Sequence, residues 1–182
     1  MNRLSMRHPF LNRPGIRLAR LASIAALPAL LLAGCLYSFT GGGLPGHIRT
    51  VAIEPFENNT AQPILASDAM QQLRTELPRK LGVRLTDARA ADAIIRGSIT
   101  GYQEATTAFG TTGGVVNPDQ MQVRISFEAE IYDLREDRAV WKQGGLSAVG
   151  NFSPAREQAQ AGRARAIAEM VQRIVEGAQS QW

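Results

Sequence analysis

The amino-acid sequence predicts an α+β fold: a two-layer sandwich whose mostly antiparallel sheet of four to five strands carries two helices on one face. Apolar and polar residues alternate through Met121–Tyr132, which is typical of a strand with one buried face. Two other segments, Pro63–Leu81 and Ser153–Ala178, have apolar residues at three- and four-residue spacing and predict amphipathic helices. Two helices are too few to cover both faces of the sheet, so we expect them to share its apolar face.

The chain before residue 92 predicts a strand, a helix and a second strand. Arg49–Phe56 is the first strand, in which Val51 and Ile53 share one face. The helix that follows ends at Gly82, a residue type suited to the C-terminal cap. Residues 83–86 then form a short second strand.

The chain after residue 92 predicts three strands and a final helix. Ala93–Tyr102 is the third strand. Residues 106–119, which are rich in Gly and Thr and contain the pair Asn117-Pro118, predict a long mobile hairpin connection. The alternating segment is the fourth strand, and a tight turn joins it to a fifth over Ala139–Val149. Ser153 is expected to cap the last helix and Gly177 to end it. The predicted order is β-α-β-β-β-β-α.

The charge distribution argues against a nucleic-acid-binding domain. The whole chain has a formal charge of +4, but its first 34 residues hold five of the 20 Lys and Arg residues and none of the 16 Asp and Glu residues. The remaining chain therefore carries 15 basic and 16 acidic side chains. A polyanion-binding domain should be basic once the leader is removed, so we expect no nucleic-acid partner.

The leader has the order of a secretory signal peptide. Met1–Arg20 is arginine-rich, and Leu21–Leu32 is apolar apart from Ser23. The apolar run is about 12 residues long, against roughly 20 for a helix that spans a bilayer. A short anchor or a buried helix is the alternative interpretation.

The residues that follow the leader resemble the lipobox of bacterial lipoproteins. The run Leu32-Ala33-Gly34-Cys35 places small residues before a thiol. The resemblance implies cleavage between Gly34 and Cys35, and acylation of Cys35. Leu36 follows in place of the aspartate that favours inner-membrane retention in lipoproteins, which indicates the outer membrane.

Three segments follow from these observations. Cys35 is the only cysteine of the chain, so the exported domain has no intrachain disulfide and must be held by its core. Glycines and Pro-Gly between the cysteine and the first strand indicate a flexible tether. The predicted segments are a lipoprotein signal peptide over 1–34, a lipidated N-terminus and tether over 35–46, and an α+β domain over 47–182.

The residue pattern predicts a protein that is not an enzyme. His47 is the one histidine after the leader, and we expect it to be solvated. Glu128 and Glu130 lie on the same strand face, about 7 Å apart from strand rise alone, on a face expected to meet solvent. No cluster of His and Cys residues indicates zinc. We therefore expect no catalytic residues, no metal and no cofactor.

Several runs of the mature chain resemble the lipopolysaccharide-assembly lipoproteins, the LptE family. They are the lipobox, Tyr37-Ser38-Phe39, Leu44-Pro45, the run Ile48–Thr60 with its sequence Val-Ala-Ile-Glu-Pro-Phe-Glu-Asn-Asn-Thr, and the stretch from Asp133-Leu134 to Val140-Trp141. The resemblance implies an outer-membrane lipoprotein on the periplasmic side, which sits as a plug inside a large β-barrel, LptD, and helps it to fold. It also implies that the two proteins together deliver lipopolysaccharide to the outer leaflet.

Two other function classes remain open from the sequence. The first-strand pattern also occurs in lipoprotein regulators of cell-wall synthases and in secretion-channel lipoproteins. An anchored periplasmic enzyme is a further class, which the missing catalytic residues disfavour.

For an anionic ligand such as lipopolysaccharide, the candidate contacts are Arg96 and Arg124, predicted on outward strand faces, and a solvated strand face is the alternative interpretation of both.

We predict that Cys35 is the mature N-terminus and carries lipid. The intact mass of the protein extracted from membranes should correspond to a chain that starts at Cys35 with added acyl mass. The variant Cys35→Ala should remain an uncleaved precursor or give a soluble product. An unmodified chain that starts at Met1, or beyond Cys35, would contradict the prediction.

Overall fold

The computed structural model describes residues 43–180. The predicted signal peptide, Gly34, Cys35 and most of the tether lie outside these residues. The described chain begins beside the folded domain, since Leu44 packs against the core and the Ile48 N–H donates to the Pro45 carbonyl at 2.8 Å.

One six-stranded sheet forms the first layer, in the order β3-β1-β4-β5-β6, with β2 beside β4. The strands, in chain order, are β1 Thr50–Ile53, β2 Glu57–Asn58, β3 Arg84–Leu85, β4 Ala93–Thr112, β5 Val115–Asp133 and β6 Arg138–Phe152. β4, β5 and β6 are long and antiparallel, while the short strands β1, β2 and β3 pair in parallel. The sheet is therefore mixed. Its parallel part arises because a helix lies between β1 and β3, and such a crossover returns the chain in the same direction.

Two helices form the second layer: α1 Leu65–Leu81 and α2 Ala159–Gln179. Their buried stripes join the apolar side chains of the sheet in a single core cluster. In β5 burial alternates along the strand, and Val123, Ile125 and Phe127 are fully buried. The predicted α+β fold class, with two helices on the apolar face of the sheet, is confirmed.

The prediction of a long loop over residues 106–119 is wrong. β4 and β5 continue through these residues and meet at a two-residue turn, Gly113-Gly114, where both glycines have positive φ. The Asn-Pro pair indicates a loop, but Pro118 lies on the N-terminal side of Met121, where β5 has a neighbour on one side only. Proline is tolerated on such an edge.

The expected limits of the last helix also need correction. Ser153 does not cap it, because its carbonyl accepts the N–H groups of Arg156 and Glu157 in a separate turn, and α2 begins only at Ala159. Gly177 does not end it, because the helix continues to Gln179. In contrast, Gly82 does form the left-handed cap of α1, with φ of 67°.

Glycines allow α2 to pack closely on the sheet. A Cβ atom at Gly150 of β6 would lie 2.6 Å from the backbone nitrogen of Ala166 in α2, and one at Gly162 would lie 2.5 Å from the Phe152 ring. A Cβ at Gly177 would overlap the indole of Trp141. We call these three glycines the glycine seam. The contacts leave no room for a methyl group, so the helix and β6 approach each other as closely as their backbones permit.

A buried carboxylate, Asp133, holds together the end of the sheet at the β5–β6 turn. Asp133, at the end of β5, is fully buried; its Oδ1 accepts the N–H groups of Arg135 and Glu136 at 2.8 and 3.0 Å. Its Oδ2 pairs with His47 Nε2 at 2.5 Å. His47 is therefore half-buried and bonded, contrary to the expectation that it is solvated. Burial raises the pKa of Asp133, but hydrogen bonds from the Glu136 N–H, from His47 and from the Arg135 N–H outweigh it and hold that pKa below its usual value.

The glycine seam predicts that Gly177→Ala destabilises the domain by about 1–3 kcal/mol, because the methyl group meets the Trp141 ring. Helix propensity alone predicts the opposite, a gain of about 1 kcal/mol. Denaturant unfolding of the mature protein measures the difference. Gly46→Ala is the control, since no atom lies within 4 Å of its Cβ position. A stabilised Gly177→Ala variant would show that the seam is not tightly packed.

The lowered pKa of Asp133 predicts a contribution to acid stability. A depressed folded-state pKa gives stability above the unfolded value of 3.8, which is lost as pH falls through the folded value. Asp133→Asn should therefore lower the free energy of unfolding at pH 7 by about 1–3 kcal/mol and flatten its fall in acid. Thermal melts from pH 7 to pH 3 measure this, with the exposed Asp119→Asn as control. Parallel pH profiles for wild type and Asp133→Asn would refute the assignment.

Candidate partner-binding surface

The sheet face opposite the helices is polar. On β5 its side chains alternate with the core residues and are half-buried or exposed: Gln122, Arg124, Ser126, Glu128, Glu130 and Tyr132. Glu128 accepts a hydrogen bond from the Ser98 hydroxyl at 3.0 Å, and Gln122 donates one to Asn151 at 3.1 Å. This face therefore carries neutral, basic and acidic hydrogen-bonding groups, which suit contact with a polar partner surface.

Arg96 lies on the polar face, but its charge is already paired. Its Nε donates to Glu130 at 2.9 Å, and its guanidinium stands over the Tyr132 ring, 5.1 Å from the centroid. The hydrogen bond to Glu130 raises the pKa of Arg96. Lys142 lies 3.9 Å from the same carboxylate. Two basic groups thus share one acid in a compact ionic cluster.

Arg124 lies elsewhere on the same face. Its guanidinium is exposed, and its hydrogen bond at 3.2 Å goes to the neutral side chain of Gln122. Arg96 is paired across the ladder with Glu130, six residues along β5 from Arg124, which places the two arginines about 20 Å apart at the rise of a strand. The structure therefore does not bring Arg96 and Arg124 together into one anion site.

A shallow groove of about 360 Å³ beside Arg96 is acidic rather than basic. Its charged lining consists of Glu54, Glu57, Glu128, Glu130, Arg96 and Lys142. Four carboxylates against two cations repel a phosphate group. The sequence pattern did not suggest this balance, because the lining residues come from four separate segments of the chain.

The β4–β5 hairpin extends past the rest of the sheet. The last pairing between β5 and β6 is that of Met121 with Phe152, so residues 107–120 form a ribbon of two strands only. We call these residues the arm. From its base to the turn the arm is about 20–23 Å long at the rise of a strand. It contains a single charged residue, Asp119.

The arm exposes large apolar side chains. Phe109, Val115 and Val116 are 67%, 59% and 65% exposed. In the antiparallel ladder Phe109 pairs with Pro118, and Thr111 pairs with Val116. Directly opposed residues share a face and alternate residues return to it, so Phe109, Val116 and Pro118 lie on one side. We call this side the apolar face of the arm. Val115 lies on the other side, together with Asn117. The sequence pattern predicts a loop over these residues and therefore gives no sign of the apolar face.

One cluster within residues 43–180 has the donor atoms of a metal site: His47, Asp133 and Glu136, whose ligand atoms lie within 4.8 Å of one another. Both oxygens of Asp133 already accept hydrogen bonds inside the protein, and one of them is paired with His47. The cluster therefore serves to attach the start of the domain to the β5–β6 turn. In the part of the chain that the structure describes, no helix is long and apolar enough to cross a membrane.

The folded domain matches a known family, and several solved structures are similar to it. The family model of lipopolysaccharide assembly, LptE, matches residues 48–179. A protein from Xanthomonas campestris is similar in structure, with a TM-score of 0.50 at 8% identity over 77% of this chain and 91% of that one. A minor lipoprotein from Acinetobacter baumannii gives a TM-score of 0.47 at 16% identity over 75% and 94% of the two chains.

A PelC dodecamer from Paraburkholderia phytofirmans gives a TM-score of 0.45 at 17% identity, over 78% of this chain and 96% of that one. No curated protein sequence matches the chain. At these identities the solved structures bear on the fold alone. The family match, in contrast, spans every helix and strand from β1 to α2. The chain therefore belongs to the lipopolysaccharide-assembly family, LptE, a family of non-enzymatic lipoproteins.

Proposed function

We propose that this protein is an outer-membrane lipoprotein, anchored on the periplasmic side through Cys35, that binds and assembles an LptD-like β-barrel and supports insertion of lipopolysaccharide. The observation that carries this proposal is the family match over residues 48–179, which covers the whole folded domain. The partners are the barrel and lipopolysaccharide, with no enzymatic step.

The surface of the domain is compatible with a plug. The lumens of outer-membrane barrels are lined by polar groups. The polar sheet face presents amide, hydroxyl and paired ionic groups, while both helices keep their apolar stripes in the core. The polar face of such a domain can form hydrogen bonds with the groups that line the lumen in place of its hydrogen bonds with water. The apolar core stays buried when it does so.

The length of the tether is compatible with the same role. The described chain begins beside His47, which is bonded to Asp133 at the end of β5, whereas the arm begins at the opposite end of that strand. Tyr37–Gly46 spans at most about 33–36 Å when extended. A lipid at Cys35 therefore keeps the domain within that distance of the membrane surface, as a plug at the periplasmic mouth of a barrel requires.

The two arginines differ as lipopolysaccharide contacts. Arg124 is the better candidate, because it is exposed and bonded only to a neutral amide among the described residues. Arg96 is the weaker one, because Glu130 neutralises it and the groove beside it is acidic. Both arginines are proposed ligand residues, with Arg124 ranked above Arg96.

Depletion of the protein in cells tests the proposal. If it assembles the export barrel, the amount of folded barrel and the amount of surface lipopolysaccharide should fall together, because the barrel lacks its plug. Quantitative immunoblots of outer-membrane fractions and surface labelling of lipopolysaccharide measure the two. An unchanged barrel and unchanged surface lipopolysaccharide, together with altered cell-wall crosslinking, would favour the cell-wall regulator instead.

A further inference from the structure

We propose that two copies of this protein pair through the outer edge of β4, strand against strand, around a two-fold axis at Phe109. The pairing segment is Thr106–Thr112, which contains the β4 strand of the arm. The inference does not depend on the proposed function, and its tests do not involve the barrel.

The outer edge of β4 has no neighbouring strand over the pairing segment. Among residues 43–180, β1 and β2 pair with β4 only as far as Ile99, and β5 alone pairs with it from Gly101 to the turn. A strand edge presents N–H and C=O groups to any further strand, and proteins commonly block it with charged side chains. Residues 105–118 contain no charged side chain. The edge is therefore open to a second neutral strand.

The hairpin geometry indicates which backbone groups this edge offers. The residues that flank a two-residue turn, here Thr112 and Val115, form a hydrogen-bonded pair. Such pairs alternate along the ladder with pairs whose backbone groups point away from each other. Thr111 and Phe109 therefore direct N–H and C=O groups out of the ribbon. On β5 the position opposite Phe109 is Pro118, which has no N–H to offer, so β4 is the edge that accepts a strand.

The sequence of this edge is complementary to itself. Thr106–Thr112 reads Thr-Thr-Ala-Phe-Gly-Thr-Thr, which is the same from either end except that Gly takes the place of Ala. In an antiparallel pair centred on Phe109, the two phenylalanines are opposed, and Thr107 of each copy lies opposite Thr111 of the other. Aromatic pairs and Thr–Thr pairs both stabilise antiparallel strands. A two-fold contact needs a self-complementary surface, and this segment supplies one.

The pairing also covers part of the apolar face of the arm. Phe109 is 67% exposed and lies opposite Pro118 in the ladder. In the dimer, Pro118 and Phe109 of one copy form a row across four strands with the same two residues of the other. The two rings then shield each other from water. A two-stranded ribbon is marginally stable alone, whereas three or more strands with a common apolar face are stable.

The size of the contact predicts a dimer that depends on concentration. One strand of seven residues is a smaller contact than the interfaces of stable complexes, which bury about 1,200–2,000 Å². We expect copies to associate where they are concentrated, as on a membrane surface, and to separate on dilution. The arm of the dilute monomer is then an open ribbon.

Disulfide crosslinking in membranes tests the register. Opposed residues of a hydrogen-bonded pair have Cα atoms about 5.5 Å apart, which a disulfide can bridge. Full-length, lipidated Phe109→Cys should therefore give a disulfide-linked dimer on oxidation. Thr111→Cys is the matched control, because its two copies lie about 13 Å apart along the strands. A second substitution, Thr107→Cys, should restore the dimer to that control.

The wild type, which contains Cys35 alone, gives the background of the crosslinking assay. We expect the dimer band of Phe109→Cys to exceed that of Thr111→Cys several-fold. Equal bands from these two variants would indicate unspecific collision. Equal bands, the absence of a dimer from Phe109→Cys, or attachment of Phe109→Cys to a different protein in place of a second copy would each overturn the inference.

Sedimentation of the purified, lipidated protein in detergent over a range of concentrations gives an independent measure. The wild type should shift from monomer to dimer as its concentration rises. Phe109→Lys and Phe109→Glu should each stay monomeric, because like charges are then directly opposed, and an equal mixture of the two should dimerise again. Their melting temperatures should match the wild type, since Phe109 is exposed. A wild type that stays monomeric at every concentration, or a Phe109→Lys variant that dimerises as readily as wild type, would overturn the inference.

Discussion

The close approach of α2 to β6 is the constraint on which the two-layer arrangement depends. Gly150 and Gly162 face each other across this interface, and Gly177 makes room for the indole of Trp141. With α2 held against the sheet, the fully buried side chains of β5 are sealed and α1 completes the layer beside it. Both helices lie on one face, so the other face remains polar and free for a partner.

The long β4–β5 pairing gives the molecule two different ends. At one end Asp133 binds the β5–β6 turn and His47, and thereby fixes where the chain enters the domain. At the other end the strands outgrow β6 and form the arm. Under the proposed function, the lipid at Cys35 supplies the attachment to the membrane, and the arm and the polar sheet face supply surfaces for a partner. This division links the fold to the proposed role in lipopolysaccharide assembly.

Local periodicity predicted most of the fold, and interactions between distant segments account for what it missed. The alternation in β5 and the helical stripes depend on neighbouring residues, so the α+β class and both helices followed from sequence. Gly177 resembled a helix stop because its role depends on Trp141, which lies far away in the chain. Pro118 suggested a loop because its tolerance in a strand depends on where β6 ends.

The candidate surface was predicted in part for the same reason. The outward positions of Arg96 and Arg124 followed from strand alternation, and both lie on the polar face. Their separation, and the pairing of Arg96 with Glu130, depend on strand register, which the sequence pattern does not specify. The bonded state of His47 depends on Asp133, 86 residues away. The family resemblance rested on motifs in the first strand and the β5–β6 turn, and the match over residues 48–179 bears it out.

Hydrogen exchange of the lipidated protein, free and in complex with its captured barrel, tests the account most directly. Backbone amides of a two-stranded ribbon open readily, so residues 107–120 should exchange fast in the free protein, far faster than the core of β5. In the complex the arm and the polar sheet face should become protected, while the outer surfaces of α1 and α2 stay unchanged. Protection confined to the helices, with an arm that exchanges as fast as before, would contradict the account.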